Sequence, residues 1–156
     1  MPREEVHILL VEDSAADVRL TQEVLRETGL RHRLRVARDG EQALRMLRRE
    51  GEYVDSPEPE LVLLDLNLPG KDGREVLREI KQDARLRRTP VLVVSTSTAD
   101  NDIIGCYDAH ANCYIAKPVG LGEFFELARA LRTFWLDLAC LPSRHRASQP
   151  AIPTVE

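Results

Sequence analysis

Hydrophobic positions along this chain fall into short unbroken runs, separated by stretches in which they recur every third or fourth residue. The runs over residues 8–11, Leu61–Leu64 and 91–94 are each four consecutive aliphatic residues. Such runs predict strands buried on both faces, as in the centre of a parallel sheet with helices on either side. Two weaker runs, 34–37 and Cys113–Ala116, alternate polar and apolar residues and predict edge strands.

Helical spacing fills the gaps. Val18, Thr21 and Leu25 share a face that stops at Gly29. Ala43, Leu44 and Leu47 follow Asp39-Gly40-Glu41-Gln42, which reads as a capping box. Val76, Leu77 and Ile80 follow Asp72-Gly73-Arg74-Glu75 with the same logic. Ile103, Ile104 and Tyr107 follow a Ser/Thr cluster expected to cap a fourth helix. Phe124, Leu127, Ala128, Leu131 and Trp135 mark a fifth. Strand then helix, five times over, predicts a doubly wound α/β fold: a five-stranded parallel sheet with right-handed crossovers.

The 156 residues suit one domain. We expect a lead-in over 1–5, the domain over 6–141 and a mobile tail over 142–156, where three prolines interrupt any periodicity. Within the domain only the stretch 51–60 makes a long connection, with two prolines and four acidic residues. No apolar run approaches the ~18 residues of a membrane span, and the acidic start lacks a secretion signal. Net charge of −4 argues against direct nucleic-acid binding. The three cysteines, Cys106, Cys113 and Cys140, match no zinc spacing and read as free thiols in a reducing cytoplasm. The histidines, His7, His32, His110 and His145, are scattered through packing or solvent contexts.

In open α/β sheets the functional crevice lies at the carboxyl ends of the strands. There the pattern places Glu12 and Asp13 after the first strand, Asp65 after the third, Ser95 and Thr96 at the fourth, and Lys117-Pro118 after the fifth. Three carboxylates at one spot repel one another unless a cation intervenes. Magnesium suits them, because it takes one or two carboxylates, waters and a phosphate oxygen. A phosphoryl group then fits beside the Lys117 ammonium and the Ser95 hydroxyl, so the set reads as a phosphoryl-transfer site.

The segments Ile8-Leu-Leu-Val-Glu-Asp13, Leu63-Leu-Asp65-Leu-Asn67-Leu-Pro69-Gly, Asp72-Gly73, Pro90-Val-Leu-Val-Val-Ser95 and Tyr114-Ile-Ala-Lys117-Pro118 resemble the signature of response-regulator receiver domains. So does Ala37-Arg38-Asp39-Gly40 with Ala43-Leu44. The likeness runs from about Val6 to Trp135. It implies the flavodoxin-like receiver fold, with strand order 2-1-3-4-5 and five helices.

The resemblance also implies roles. Asp65 is the phosphoacceptor, charged by a histidine kinase. Asp13 binds magnesium directly, Glu12 through a water, and Asn67 through its backbone carbonyl. Lys117 pairs with phosphoryl oxygens, and its bond to Pro118 is commonly cis in the family. Ser95 and Tyr114 form the switch, Thr96 affects phosphate access, and Asn67 and Ser97 tune dephosphorylation. Such domains catalyse their own phosphorylation and dephosphorylation slowly, which makes them switches and not metabolic enzymes.

A narrower likeness lies in Val11-Glu-Asp-Ser-Ala-Ala-Asp17-Val-Arg-Leu20, Leu64-Asp-Leu-Asn-Leu-Pro69, Ala111-Asn-Cys-Tyr-Ile115 and Phe134-Trp135. These resemble single-domain regulators partnered with phytochrome-type histidine kinases. Departures from the receiver pattern are small: Ser95 for the commoner threonine, Thr96 for a small residue, Glu12 for aspartate. An aspartyl-phosphate hydrolase of the haloacid-dehalogenase type wants a second aspartate where Asn67 stands. A dinucleotide-binding domain wants glycines where Glu12-Asp13-Ser14 puts charge. The remaining alternative is a degenerate receiver, a binding or dimerisation module that takes no phosphate.

Residues Phe134, Trp135, Leu136, Leu138, Ala139 and Leu141 are apolar on more than one helical face. A helix that only covers a sheet needs one stripe. The excess predicts a homodimer through Phe134, Trp135 and Leu138, with folding back on the domain as the competing explanation.

Overall fold

The computed structural model describes residues 5–142. The rest of the expected lead-in (1–4) and of the tail (143–156) lies outside the described residues.

Five parallel strands form one sheet in the order β2-β1-β3-β4-β5. They are β1 (Val6–Val11), β2 (His32–Ala37), β3 (Leu61–Leu64), β4 (Val91–Ser95) and β5 (Cys113–Ala116). Between and after them run α1 (Ala15–Glu27), α2 (Gly40–Arg48), α3 (Gly73–Gln82), α4 (Asp100–Asp108) and α5 (Leu121–Ala130). The expected fold is the observed one. β2 begins two residues before the alternating pattern does, because Val6 and His7 of β1 pair with His32 and Arg33.

Side chains alternate across the pleat, and the sheet has a core on each face. Leu9, Val11, Val62, Leu64, Val91 and Val93 meet Ala43, Leu44 and Leu47 of α2, Val76, Leu77 and Ile80 of α3, and Cys106 of α4. Ile8, Leu10, Leu61, Leu63 and Leu92 meet Val18, Val24 and Leu25 of α1 and Phe124 and Ala128 of α5. Each fully buried aliphatic side chain is worth roughly 1.5–3 kcal/mol. That two-sided burial explains the unbroken aliphatic runs of the central strands, whose polar residues, His7 of β1 and Ser95 of β4, lie outside those runs.

Side chains cap three helices, and at α2 and α3 they are the caps the sequence predicts. Ser14 caps α1 by accepting from the Asp17 N–H. Asp39 caps α2 by accepting from the Gln42 N–H, and the Gln42 side chain returns to the Arg38 N–H at 2.8 Å. Asp72 caps α3, accepting from Arg74. The Ser/Thr cluster does not cap α4. Ala99 occupies that position without a side-chain bond, and the hydroxyl of Ser97, two residues earlier, accepts from the Ala99 N–H and donates to Asp102 in the first turn.

The fifth helix also departs from the expected stripe. Its α-helical part ends at Ala130, and a π-helical extension continues over Leu131–Leu138. The Ala139 N–H bonds to the Phe134 carbonyl, a five-residue step. Leu131, Leu136 and Leu141, also five apart, are all buried. The wider turn thus sends half of the apolar excess back onto the domain, while Phe134 (57% exposed) and Leu138 (71%) face outward. The Arg132 guanidinium anchors the extension by donating to the Thr28 carbonyl at the end of α1.

Candidate functional site

The carboxyl ends of β1, β3 and β5 bring charge together because each strand ends where its aliphatic run does. Leaving β1, Glu12 is buried and Asp13 is exposed. Asp65 follows β3, held by its own N–H on the Val11 carbonyl, and is 8% exposed. Carboxylate oxygens of Glu12, Asp13 and Asp65 lie within 4.8 Å of one another. The Asn67 N–H donates to Asp65 Oδ1 at 3.2 Å.

Lys117, one residue beyond β5, is fixed by its N–H on the Ser95 carbonyl. Its ammonium lies 2.7 Å from Glu12 Oε1, 2.8 Å from Asp17 Oδ2 and 3.5 Å from Asp65 Oδ2. Burial pushes the pKa of this ammonium down, but hydrogen bonds to Asp17 and Glu12 and the charge of Asp65 outweigh it and hold it above the ordinary value. Glu12 is shifted up, first by burial and then by the charge of Asp65, against the opposing bond from Lys117. Three carboxylates, Glu12, Asp17 and Asp65, share a single ammonium, and Asp13 lies beside them, so the pocket is short of positive charge. Magnesium–oxygen bonds are about 2.0–2.1 Å, and three oxygens this close come within side-chain-rotation reach of one such ion. The donor set, all hard oxygens, fits it.

Ser95 is fully buried, and its hydroxyl accepts from the Ser97 N–H at 3.2 Å. The half-buried Tyr114 donates its hydroxyl to the Ser97 carbonyl at 2.8 Å. Thr96 and Asn67 are exposed at the rim. The Lys117–Pro118 bond, expected cis from the resemblance, is trans, as the described residues contain no cis peptide. Phe134, Trp135 and Leu138 lie outside this cluster, on the extension after α5.

Sequence reasoning assigned no role to Asp17, Arg74 or Asp102. Asp17 stands in the first turn of α1, three residues after its cap Ser14 and four after Asp13, close along the chain to the first strand's end. That was its only signal. Arg74 and Asp102 belong to helix starts distant in sequence and meet only in the fold. The Ser97 hydroxyl and Arg74 hold the Asp102 carboxyl below its ordinary pKa.

Fold and site define a doubly wound α/β domain with an acidic, cation-seeking rim around one strand-end aspartate. The chain belongs to the response regulator receiver domain family, whose model matches residues 8–129. It is 51% identical over 136 residues to the response regulator Rcp1 of Synechocystis sp., covering 87% of this chain and 92% of that protein. The crystal structure of the phosphorylated cyanobacterial phytochrome response regulator RcpA superposes with a TM-score of 0.85 at 50% identity, over 89% of this chain and 99% of that one. The Mn2+-bound form of Rcp1 gives 0.83 at 50% identity, over 88% and 99%.

Proposed function

We propose that this chain, over residues 6–141, is a response regulator of a two-component phosphorelay that takes a phosphoryl group from a histidine kinase onto Asp65. The observation that carries this reading is the meeting of the Glu12, Asp13 and Asp65 carboxylates beside the Lys117 ammonium. In the transfer, an Asp65 carboxylate oxygen attacks the phosphorus of a phosphohistidine. A P–O bond forms, the P–N bond breaks, and its electron pair leaves with the imidazole. A divalent cation, which we infer to be Mg2+, supplies neutralisation of the crowded carboxylates and the phosphoryl oxygens. Asp13 and Asp65 would hold it directly, Glu12 through a water and Asn67 through its carbonyl. Lys117 exchanges a carboxylate partner for a phosphoryl oxygen, Ser95 donates its hydroxyl to another, and Tyr114 follows the Ser95 loop. Thr96, Asn67 and Ser97 line the approach of the water that removes the group.

The degenerate-receiver alternative is not favoured, since every position at the rim carries a chemically competent group. The signal source we infer is a phytochrome-type histidine kinase, on likeness to Rcp1 and RcpA. The free thiols fit a reducing cytoplasm, and no helix among the described residues is long and apolar enough to cross a membrane. The exposed Phe134 and Leu138, with Trp135 edge-on to Phe134, support a homodimer through the extension. A monomeric mass by light scattering at micromolar concentration counts against that contact.

Intact-protein mass after incubation with Mg2+ and acetyl phosphate tests the main reading. Gain of one phosphate in the wild type and none in Asp65→Asn is the expected result. No gain in folded wild type sinks the proposal and leaves the degenerate receiver.

A further inference from the structure

Two loops flank the acidic cluster. The one after β3 carries Asp65 and Asn67 and leads to Asp72, the cap of α3. The one after β4 carries Thr96 and Ser97 and leads into α4. A single side chain, Arg74, spans them. Its Nη1 donates to both oxygens of Asp72 at 3.1 Å, and its Nε and Nη2 both donate to Asp102 Oδ1 at 3.2 and 2.6 Å. The other Asp102 oxygen accepts from the Ser97 hydroxyl at 2.5 Å.

Ser97 has every polar group engaged. Its N–H is on the Ser95 hydroxyl, its carbonyl on the Tyr114 hydroxyl, and its own hydroxyl on Asp102 and the Ala99 N–H. On the other side, the start of α3 packs directly on the Asp65 loop. A Cβ on Gly73 would stand 2.3 Å from the Asp65 carbonyl oxygen, and the Gly73 N–H is bonded to the Leu66 carbonyl. Exposed ion pairs are individually weak. This guanidinium is one-third exposed, engages two carboxylates, and is continued by a short charge-assisted hydroxyl bond.

We propose that Arg74 and Asp102 are positioning residues that hold Ser97, and through it Ser95 and Tyr114, at a fixed offset from the Asp65 loop, and so restrain the Ser95 hydroxyl from turning toward a phosphoryl group. The inference rests on the phosphoacceptor reading of Asp65. For Ser95 to swing it must leave the Ser97 N–H or take Ser97 along. Ser97 cannot follow while its hydroxyl is on Asp102 and Asp102 is gripped by Arg74. The restraint is specific to this chain's own residues at three helix and loop starts, and it opposes phosphorylation.

The test compares wild type, Arg74→Gln, Asp102→Asn and the double variant. The first readout is the initial rate of phosphate gain from acetyl phosphate and Mg2+ by intact mass. The second is the backbone amide NMR signals of Ser95, Ser97 and Tyr114 without metal or phosphodonor. Each single variant is expected to gain phosphate about three- to tenfold faster, the scale of losing one modest hydrogen-bonded restraint. The double variant gains no more than either single, since both act through one chain of bonds. Rates that are unchanged or slower in the folded variants, or effects that multiply, overturn the proposal. If wild type takes no phosphate, the phosphoacceptor reading fails. The amides then decide the rest: moved signals keep the positioning role, and unmoved signals remove it.

Discussion

Lys117 and Lys81 stand at opposite ends of the sheet, one just past the carboxyl end of β5 and the other beside the amino ends of β4 and β5. Both are partly withdrawn from solvent in a chain that has three lysines and nineteen arginines. Burial pushes both ammonium groups toward losing a proton. At Lys117 three carboxylates reverse that push. At Lys81 none does, and burial lowers its pKa to about 8. Its three N–H groups meet three neutral acceptors instead, the carbonyls of Arg87 and Thr89 and the Asn112 side chain, each at 2.9 Å. The Asn112 oxygen also accepts from the Val91 N–H, so this lysine pins the entries of two strands. Burial therefore does not make a lysine functional. An ammonium among surplus carboxylates can change partners, while one matched to neutral oxygens is a staple.

The comparison breaks most visibly at Lys117. Lys117→Met strands the Glu12 and Asp65 carboxylates and is expected to cost about 3 kcal/mol without metal. Urea unfolding measures it, and added Mg2+ should recover more stability in the variant than in wild type. The loss should shrink as pH falls and the stranded carboxylates protonate. If Mg2+ helps both proteins equally, the ammonium is not what balances this rim.

Lys81→Met should cost about 1 kcal/mol, from the loss of hydrogen bonds to oxygens that water or the Val91 N–H still reaches. It should leave Mg2+ affinity and phosphate uptake at wild-type levels. A change in either would make Lys81 more than a staple.

The same pair diverges with pH. Above about 8 the folded chain releases the Lys81 proton, while the unfolded chain keeps it up to the ordinary 10.5. In that window the unfolded state binds more protons, so the wild type gains stability with rising pH relative to Lys81→Met. Urea midpoints of the two proteins across the window measure a modest gain, since the ammonium is only half-buried. Lys117, shifted the other way, contributes no such gain there. A constant difference between the two proteins contradicts the assignment.

The smallest effect belongs to Asp17. It is one-third exposed, and Lys117 keeps Glu12 and Asp65 without it. Asp17→Asn should cost under about 1 kcal/mol by urea unfolding. That cost should vanish in the Lys117→Met background, and persistence there would mean Asp17 acts on something else.

What was legible in advance follows from repetition along the chain. Four aliphatic residues in a row require cover on both faces, so the central strands and their order of helices could be read directly. A strand end is a fixed point, and the residues just after each run, Glu12, Asp13, Asp65 and Lys117, therefore had to share one rim. Asp39 and Asp72 were legible as caps because a cap acts within a few residues of itself. The α4 start misled because the cap position falls at Ala99, two residues past Ser97; the Ser97 hydroxyl accepts from the Ala99 N–H and reaches the first turn only by donating to the Asp102 side chain. The end of α5 misled because a 3.6-residue period cannot describe a helix whose buried leucines, Leu131, Leu136 and Leu141, recur every five.

The sequence by itself determined the doubly wound sheet, the acidic rim and the aspartate at its centre, since these depend on local periodicity and on where runs stop. The tertiary structure alone decided that Asp17 shares Lys117, that Arg74 bridges the loops through Asp102, and that Lys81 closes the far end. Long cationic side chains choose partners by distance in space, across separations of up to 105 residues. Nothing in a one-dimensional pattern records which oxygen lies within reach.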